Sequence, residues 1–256
     1  MLLTAPSIPI LGEVDKNSPA AHWFRQLSHQ LSLPVPPKAI LVITAHWETT
    51  KKTHISAQEK HRHLLYDYYG FPAEAYTLEY QPPGDVALSH RIKTLLEQAG
   101  IDAQLDDQRH FDHGVFIPLK LIYPEANIPV VSMSILESLS PSEHLAIGHA
   151  LSPLRKERVL IIGSGSAVHG FQLSVSQSDA FMDHLTRTLT QTDVDEREQV
   201  LLNWEKTLPY ARLNHPREEH LIPLHVVVGA AGSDRGELLN PKVIHTQAAY
   251  RFGVQK

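Results

Sequence analysis

Ala39-Ile40-Leu41-Val42-Ile43-Thr44, running directly into Ala45-His46-Trp47-Glu48, is the stretch from which the fold is read. A short, nearly all-apolar run is the pattern of a strand covered on both faces. Two further runs repeat it, at residues 128–134 and 159–162. Helical patterns lie between and around them. Ser18-Pro19 reads as cap and first position of a helix whose apolar side carries Trp23, Phe24, Leu27 and Leu31, stopped by the Pro-rich residues 33–37. Asp85 caps a second helix, with Leu88, Ile92, Leu95, Leu96 and Ala99 on one stripe and Gly100 closing it. Ser140-Pro141-Ser142-Glu143 is a capping box opening a helix to about residue 154, and a helical region covers roughly 180–206 with a break near Thr192. Residues 53–56 read as a short strand, 66–71 as an aromatic loop and 163–166 as a turn. Strands alternating with helices predict a single α/β domain over residues 1–256, with a largely parallel or mixed central sheet and helices on both faces. Sites are then expected at the carboxyl ends of strands.

Composition narrows the function classes. The 256 residues are 42% hydrophobic and 20% charged, ordinary for a globular chain. The net charge is 23 − 28 = −5 and no block of five Lys or Arg occurs, which argues against a nucleic-acid or anionic-membrane surface. With no cysteine, disulfides, thiolate metal sites, Fe–S clusters and a Cys nucleophile are excluded. Apolar runs fall far short of the ~18 residues of a spanning helix. The start lacks a basic segment and meets Pro6 and Pro9, so a signal peptide is not expected and a cytoplasmic protein is. Oligomeric state is left open.

Histidine is abundant, at 17 residues, and imidazole is both the commonest metal ligand and the side chain that exchanges protons near neutral pH. His46 follows one strand directly. His169 follows another through Gly163-Ser164-Gly165-Ser166-Ala167-Val168. Asp112-His113-Gly114 is an Asp-oriented imidazole or a polar turn, and Glu218-Glu219-His220 presents a ligand at a helix start or an exposed acidic turn. Each alone is more often structural; four at element ends point to a site together. The glycines at 163 and 165 lack the third of a dinucleotide fingerprint, no P-loop Lys follows, and neither a G-x-S-x-G elbow nor H-E-x-x-H is present. Histidine and carboxylate donors without sulfur suit Fe(II), Zn(II) or Mn(II), and an open facial site of two His plus one more ligand is the geometry of Fe(II) oxygen chemistry.

At these residues the chain resembles the class III extradiol ring-cleavage dioxygenases, in their DOPA 4,5-dioxygenase-like branch. The resemblance is carried by residues 40–49, by Tyr66-Asp67-Tyr68-Tyr69-Gly70-Phe71-Pro72, by Phe111-Asp112-His113-Gly114, by residues 117–119 and 123–129, by residues 163–169, and by Glu219-His220 with the run to Gly232. It implies an Fe(II) enzyme, with Zn(II) as the alternative metal, that inserts both atoms of O2 into a small aromatic diol. It makes His46 and His220 metal ligands, His169 an acid/base or third ligand, and His113 a second catalytic histidine. One departure stands out. The family's first ligand sits in a Ser-His-Gly-small-Pro loop after its first strand, and setting Ala5-Pro6 on small-Pro puts Leu3 where the histidine belongs. Most of that first strand is then missing, so the chain is expected to be truncated or degenerate, with impaired metal binding and turnover. The rival readings are a degenerate member that only binds a metal or aromatic ligand, and a zinc hydrolase using His46 and His220.

Overall fold

In the computed structural model, residues 2–4, 19–31, 35–239 and 248–253 are described. The strands are β1 (Leu2–Thr4), β2 (Ala39–Thr49), β3 (Thr53–Ser56), β4 (Ala103–Asp106), β5 (Val130–Leu136), β6 (Val159–Gly165), β7 (Glu237–Leu238) and β8 (Ala249–Arg251). They form one sheet in the order β4-β3-β5-β2-β6-β1-β8-β7. β2 lies between β5 and β6, parallel to both, and β6 continues parallel into β1. The β3–β5, β1–β8 and β7–β8 pairs are antiparallel. The sheet is thus mixed, with a parallel centre.

The helices are α1 (Pro19–Gln30), α2 (Val86–Gln98), α3 (His113–Ile122), α4 (Pro141–Leu151), α5 (Val175–Gln191), α6 (Val194–Leu202), α7 (Trp204–Thr207), α8 (Ala211–Asn214) and α9 (Ile222–Ala231). They cover both faces, and β2 shows why its sequence is apolar throughout. Its alternate residues Ala39, Leu41 and Ile43 join one buried cluster with Ile92, Leu145, Phe181 and Val226, while Ile40 and Val42 join another with Phe24, Leu27, Phe116 and Ile117. None of the described helices is long and apolar enough to cross a membrane.

Local signals acted as expected where they were self-contained. The Asp85 carboxylate accepts the Leu88 N–H at 2.8 Å, and Gly100 takes φ +75° beyond the end of α2. Ser140 caps α4, which stops at Leu151, the next six residues tightening into a 3₁₀ turn. The cap expected at Ser18 lies outside the described residues. The long helical region does break at Thr192, but it begins earlier, where Ser174 and Gln177 form a reciprocal capping box. At the far end of α9, Arg155 donates to the carbonyls of Ala230 and Ala231, and the fully buried Arg197 donates to those of Gly232 and Asp234. Two guanidinium groups thereby satisfy the carbonyls at that helix end.

Two expectations are corrected by long-range pairing. β2 does not end at Thr44. After its register breaks between Ile43 and Glu48 it continues along β5 to Thr49, so His46 sits at an irregularity inside the strand rather than beyond it. The Gly163-Ser164-Gly165 segment is strand, not turn, because it pairs residue for residue with Leu2, Leu3 and Thr4.

Candidate active site

His46 is fastened at both ends of its peptide unit. Its N–H donates to the Thr44 hydroxyl at 3.2 Å, and its carbonyl accepts from Arg109 at 2.9 Å. Thr44 in turn donates to Asp112 Oδ1 at 2.8 Å, and Arg109 reaches Asp112 Oδ2 at 3.3 Å. Asp112, only 1% exposed, is therefore the buried anchor beneath His46. Gly114 lets α3 approach so closely: a Cβ there would lie 2.9 Å from Thr44 Oγ1 and 3.2 Å from His46 Cδ2. His113, the first residue of α3, is turned toward His46, their ring centroids 4.0 Å apart.

The opposite wall comes from the turn before α9. The Glu218 carbonyl accepts the Leu221 N–H at 2.8 Å, and the His220 carbonyl accepts the Ser166 N–H at 3.0 Å, binding that turn to the end of β6. The His220 ring lies 5.0 Å from His46, nearly perpendicular, and His169 stacks on it at 3.7 Å. His169 is held by its own N–H to the Asn214 carbonyl at 2.8 Å. All four histidines singled out in the sequence thus fall into one cluster, drawn from β2, α3, the loop after β6 and the turn before α9.

Two carboxylates in the cluster were missed. Asp67, in the aromatic loop, accepts from His113 Nδ1 at 2.8 Å and the His113 N–H at 2.9 Å, and lies 3.2 Å from His46 Nδ1. The Asp-oriented imidazole is therefore real, but its carboxylate is Asp67 rather than the adjacent Asp112. A lone acid inside Tyr66-Asp67-Tyr68-Tyr69 was the available signal, since a charge amid aromatics needs a partner. Glu219 sits 3.9 Å from both His169 Nε2 and His220 Nε2. Ligand atoms of His46, Asp67 and His113 lie within 4.8 Å of one another, as do those of His169, Glu219 and His220.

Residues 4–252 match the family described as the catalytic LigB subunit of aromatic ring-opening dioxygenase. The chain belongs to the LigB family. This LigB-family protein is thus a class III extradiol aromatic ring-opening dioxygenase. It is 41% identical over 213 residues to a 4,5-DOPA dioxygenase extradiol of Beta vulgaris, covering 80% of this chain and 77% of the relative. It is 37% identical over 244 residues to dioxygenase tasH of Hapsidospora irregularis, covering 88% and 74%. A crystal structure of an uncharacterized Escherichia coli K12 protein superposes with TM-score 0.72 at 28% identity, covering 93% of each chain.

LigB-family enzymes use a bound metal, and the donor set here fits one. Among the described residues, His46 Nε2 and His220 Nδ1 are buried without a hydrogen-bond partner. Such atoms are costly unless something binds them. Burial works against protonation of His46, but the Asp67 hydrogen bond and the charges of Asp112, Asp67 and Glu219 outweigh it, so its pKa rises. His220 and His169 go the other way. Burial first, then neighbouring imidazoles, holds His220 well below the ordinary histidine value, and burial with the His46 charge lowers His169. Burial also raises Glu219. Asp67 stays well below the carboxylate range, its own burial being outweighed by hydrogen bonds from His113 and His46.

Proposed function

We propose that this LigB-family protein is an Fe(II)-dependent extradiol dioxygenase that opens a DOPA-like catechol ring. The supporting observation is the clustering of His46, His113, His169 and His220, with two buried nitrogens that lack a hydrogen-bond partner among the described residues. His46 and His220 would hold the metal, with His169 as third imidazole, and Zn(II) is the alternative occupant of the same donors. Bound Fe(II) supplies Lewis acidity toward the catechol and redox chemistry toward O2. His169, its side chain 29% exposed, is open to a substrate while stacked on His220, and in the neutral form it takes a catechol proton and returns it after cleavage. A nitrogen that ligates metal cannot do this, so His169 serves one role at a time. His113, oriented by Asp67, is the second group that exchanges a proton at the ring or oxygen. The relatives named as DOPA dioxygenases support the substrate class.

The reaction is slow in this chain on the same reading. Leu3 stands where the resemblance expects the first imidazole, on a strand whose backbone pairs with Ser164, next to Gly165. Loss of a ligand should cost at least the ~10–100-fold in metal affinity or activity that loss of a ligand's own partner costs. The test loads the protein with Fe(II) without oxygen, then adds O2 and DOPA or simpler catechols. Slow oxygen uptake with a coloured ring-opened product is expected, faster turnover in Leu3→His, and none in His46→Ala or His220→Ala. No uptake with any catechol in either the parent or Leu3→His would replace the enzyme reading with one of ligand binding.

A further inference from the structure

We infer that Asp67 is a positioning residue that sets the tautomer of two histidines at once, the metal-holding arm of His46 and the proton-exchanging arm of His113. The inference rests on the site reading above. A carboxylate only accepts hydrogen bonds. Its Oδ1 takes the His113 backbone N–H at 2.9 Å and faces His113 Nδ1 at 2.8 Å, while Oδ2 faces His46 Nδ1 at 3.2 Å. Both imidazoles must then carry their proton on Nδ1, which leaves Nε2 of each with a lone pair. For His46 that is the buried nitrogen with no hydrogen-bond partner among the described residues, the atom a metal would use. A histidine ligand that donates its other N–H to a carboxylate is oriented and made more basic by it. Here one carboxylate does this for His46 while holding His113 beside it, their rings 4.0 Å apart.

The arrangement is asymmetric, and the asymmetry gives the test. In Asp67→Asn the backbone N–H of His113 keeps the amide oxygen at the Oδ1 position, because that donor cannot become an acceptor. The amide NH2 then replaces Oδ2 and points at His46 Nδ1. His46 must accept there, its proton moves to Nε2, and the metal-facing lone pair is lost. His113 keeps its Nδ1–H tautomer.

The experiment uses the full chain, with Zn(II) as probe in chelator competition and imidazole ¹⁵N–¹H correlation spectra of the metal-free protein. Parent, Asp67→Asn, His46→Ala and His220→Ala are compared, with thermal melting as the check on folding. In Asp67→Asn, His46 should switch from Nδ1–H to Nε2–H, His113 should not, and Zn(II) affinity should fall about 10–100-fold. A parent His46 already in the Nε2–H form, or unchanged Zn(II) affinity in a folded Asp67→Asn, overturns the assignment. If His46→Ala and His220→Ala leave Zn(II) binding intact, the metal-site reading fails instead, and the His46 and His113 tautomers alone decide the role of Asp67.

Discussion

Adding one methyl group at Gly165 should disable the site through the backbone. A Cβ there would lie 2.1 Å from the His220 carbonyl oxygen and 3.0 Å from its carbonyl carbon. The closest ordinary carbon–oxygen approach is about 3.3 Å, so the turn carrying His220 must retreat by about 1.2 Å. The same oxygen accepts the Ser166 N–H at 3.0 Å, and this bond is lost as the turn retreats. Overpacking of this kind costs about 1–3 kcal/mol, or about 2–4 °C of Tm per kcal/mol for a domain near this size. The functional cost is larger, because a displacement near 1 Å at a reacting site costs about 100-fold. Gly148→Ala is the matched control: its Cβ would meet the Val226 carbonyl oxygen at the same 2.1 Å, but where α4 packs on α9, away from His220. Melting curves should show comparable losses for the two variants, whereas Zn(II) affinity and catechol-dependent oxygen uptake should collapse only in Gly165→Ala. A folded Gly165→Ala with parental affinity and turnover would refute the claim that this contact places His220.

Three further outcomes follow from buried polar groups. Burial pushes His61 and His225 down to about 4 despite their backbone hydrogen bonds, so the unfolded chain, protonating near 6.5, binds protons first as the pH falls. Stability present above pH 6.5 is therefore lost progressively toward pH 4; urea midpoints measured against pH should fall across that window, and less steeply in His61→Gln. Thr44→Val keeps the shape but removes the donor to Asp112 and the acceptor for the His46 N–H; a loss of about 1.5–3 kcal/mol is expected for a bond to a charged group, and an unchanged melting curve would deny Asp112 its anchoring role. Arg197→Met leaves the Gly232 and Asp234 carbonyls without their donors, at about 1–3 kcal/mol each, and denaturant unfolding should show it while the metal affinity of the folded protein stays parental.

What the sequence determined by itself is what near neighbours along the chain decide. The apolar run at 39–44 is a buried central strand because both its faces must be covered, and Asp85, Ser140 and Gly100 mark helix ends because capping involves residues only a few positions apart. The histidines were legible for a related reason: His113 opens α3, His169 follows β6 and His220 precedes α9, at the element ends where an α/β sheet exposes its chemistry, while His46 sits at the break in register inside β2. Distance in sequence hid the rest. Gly163-Ser164-Gly165 has the composition of a turn and became strand because β2 pairs with its first two residues and residues 2–4 pair with all three. The local sequence favoured Asp112 as the partner of His113, but that carboxylate turns to Thr44, 68 positions away. The partner is Asp67, brought from 46 positions away by the packing of an aromatic loop on α3. A hydrogen bond between side chains of distant segments leaves no periodicity to read, since its energy depends on a separation in space that only the assembled sheet and helices fix.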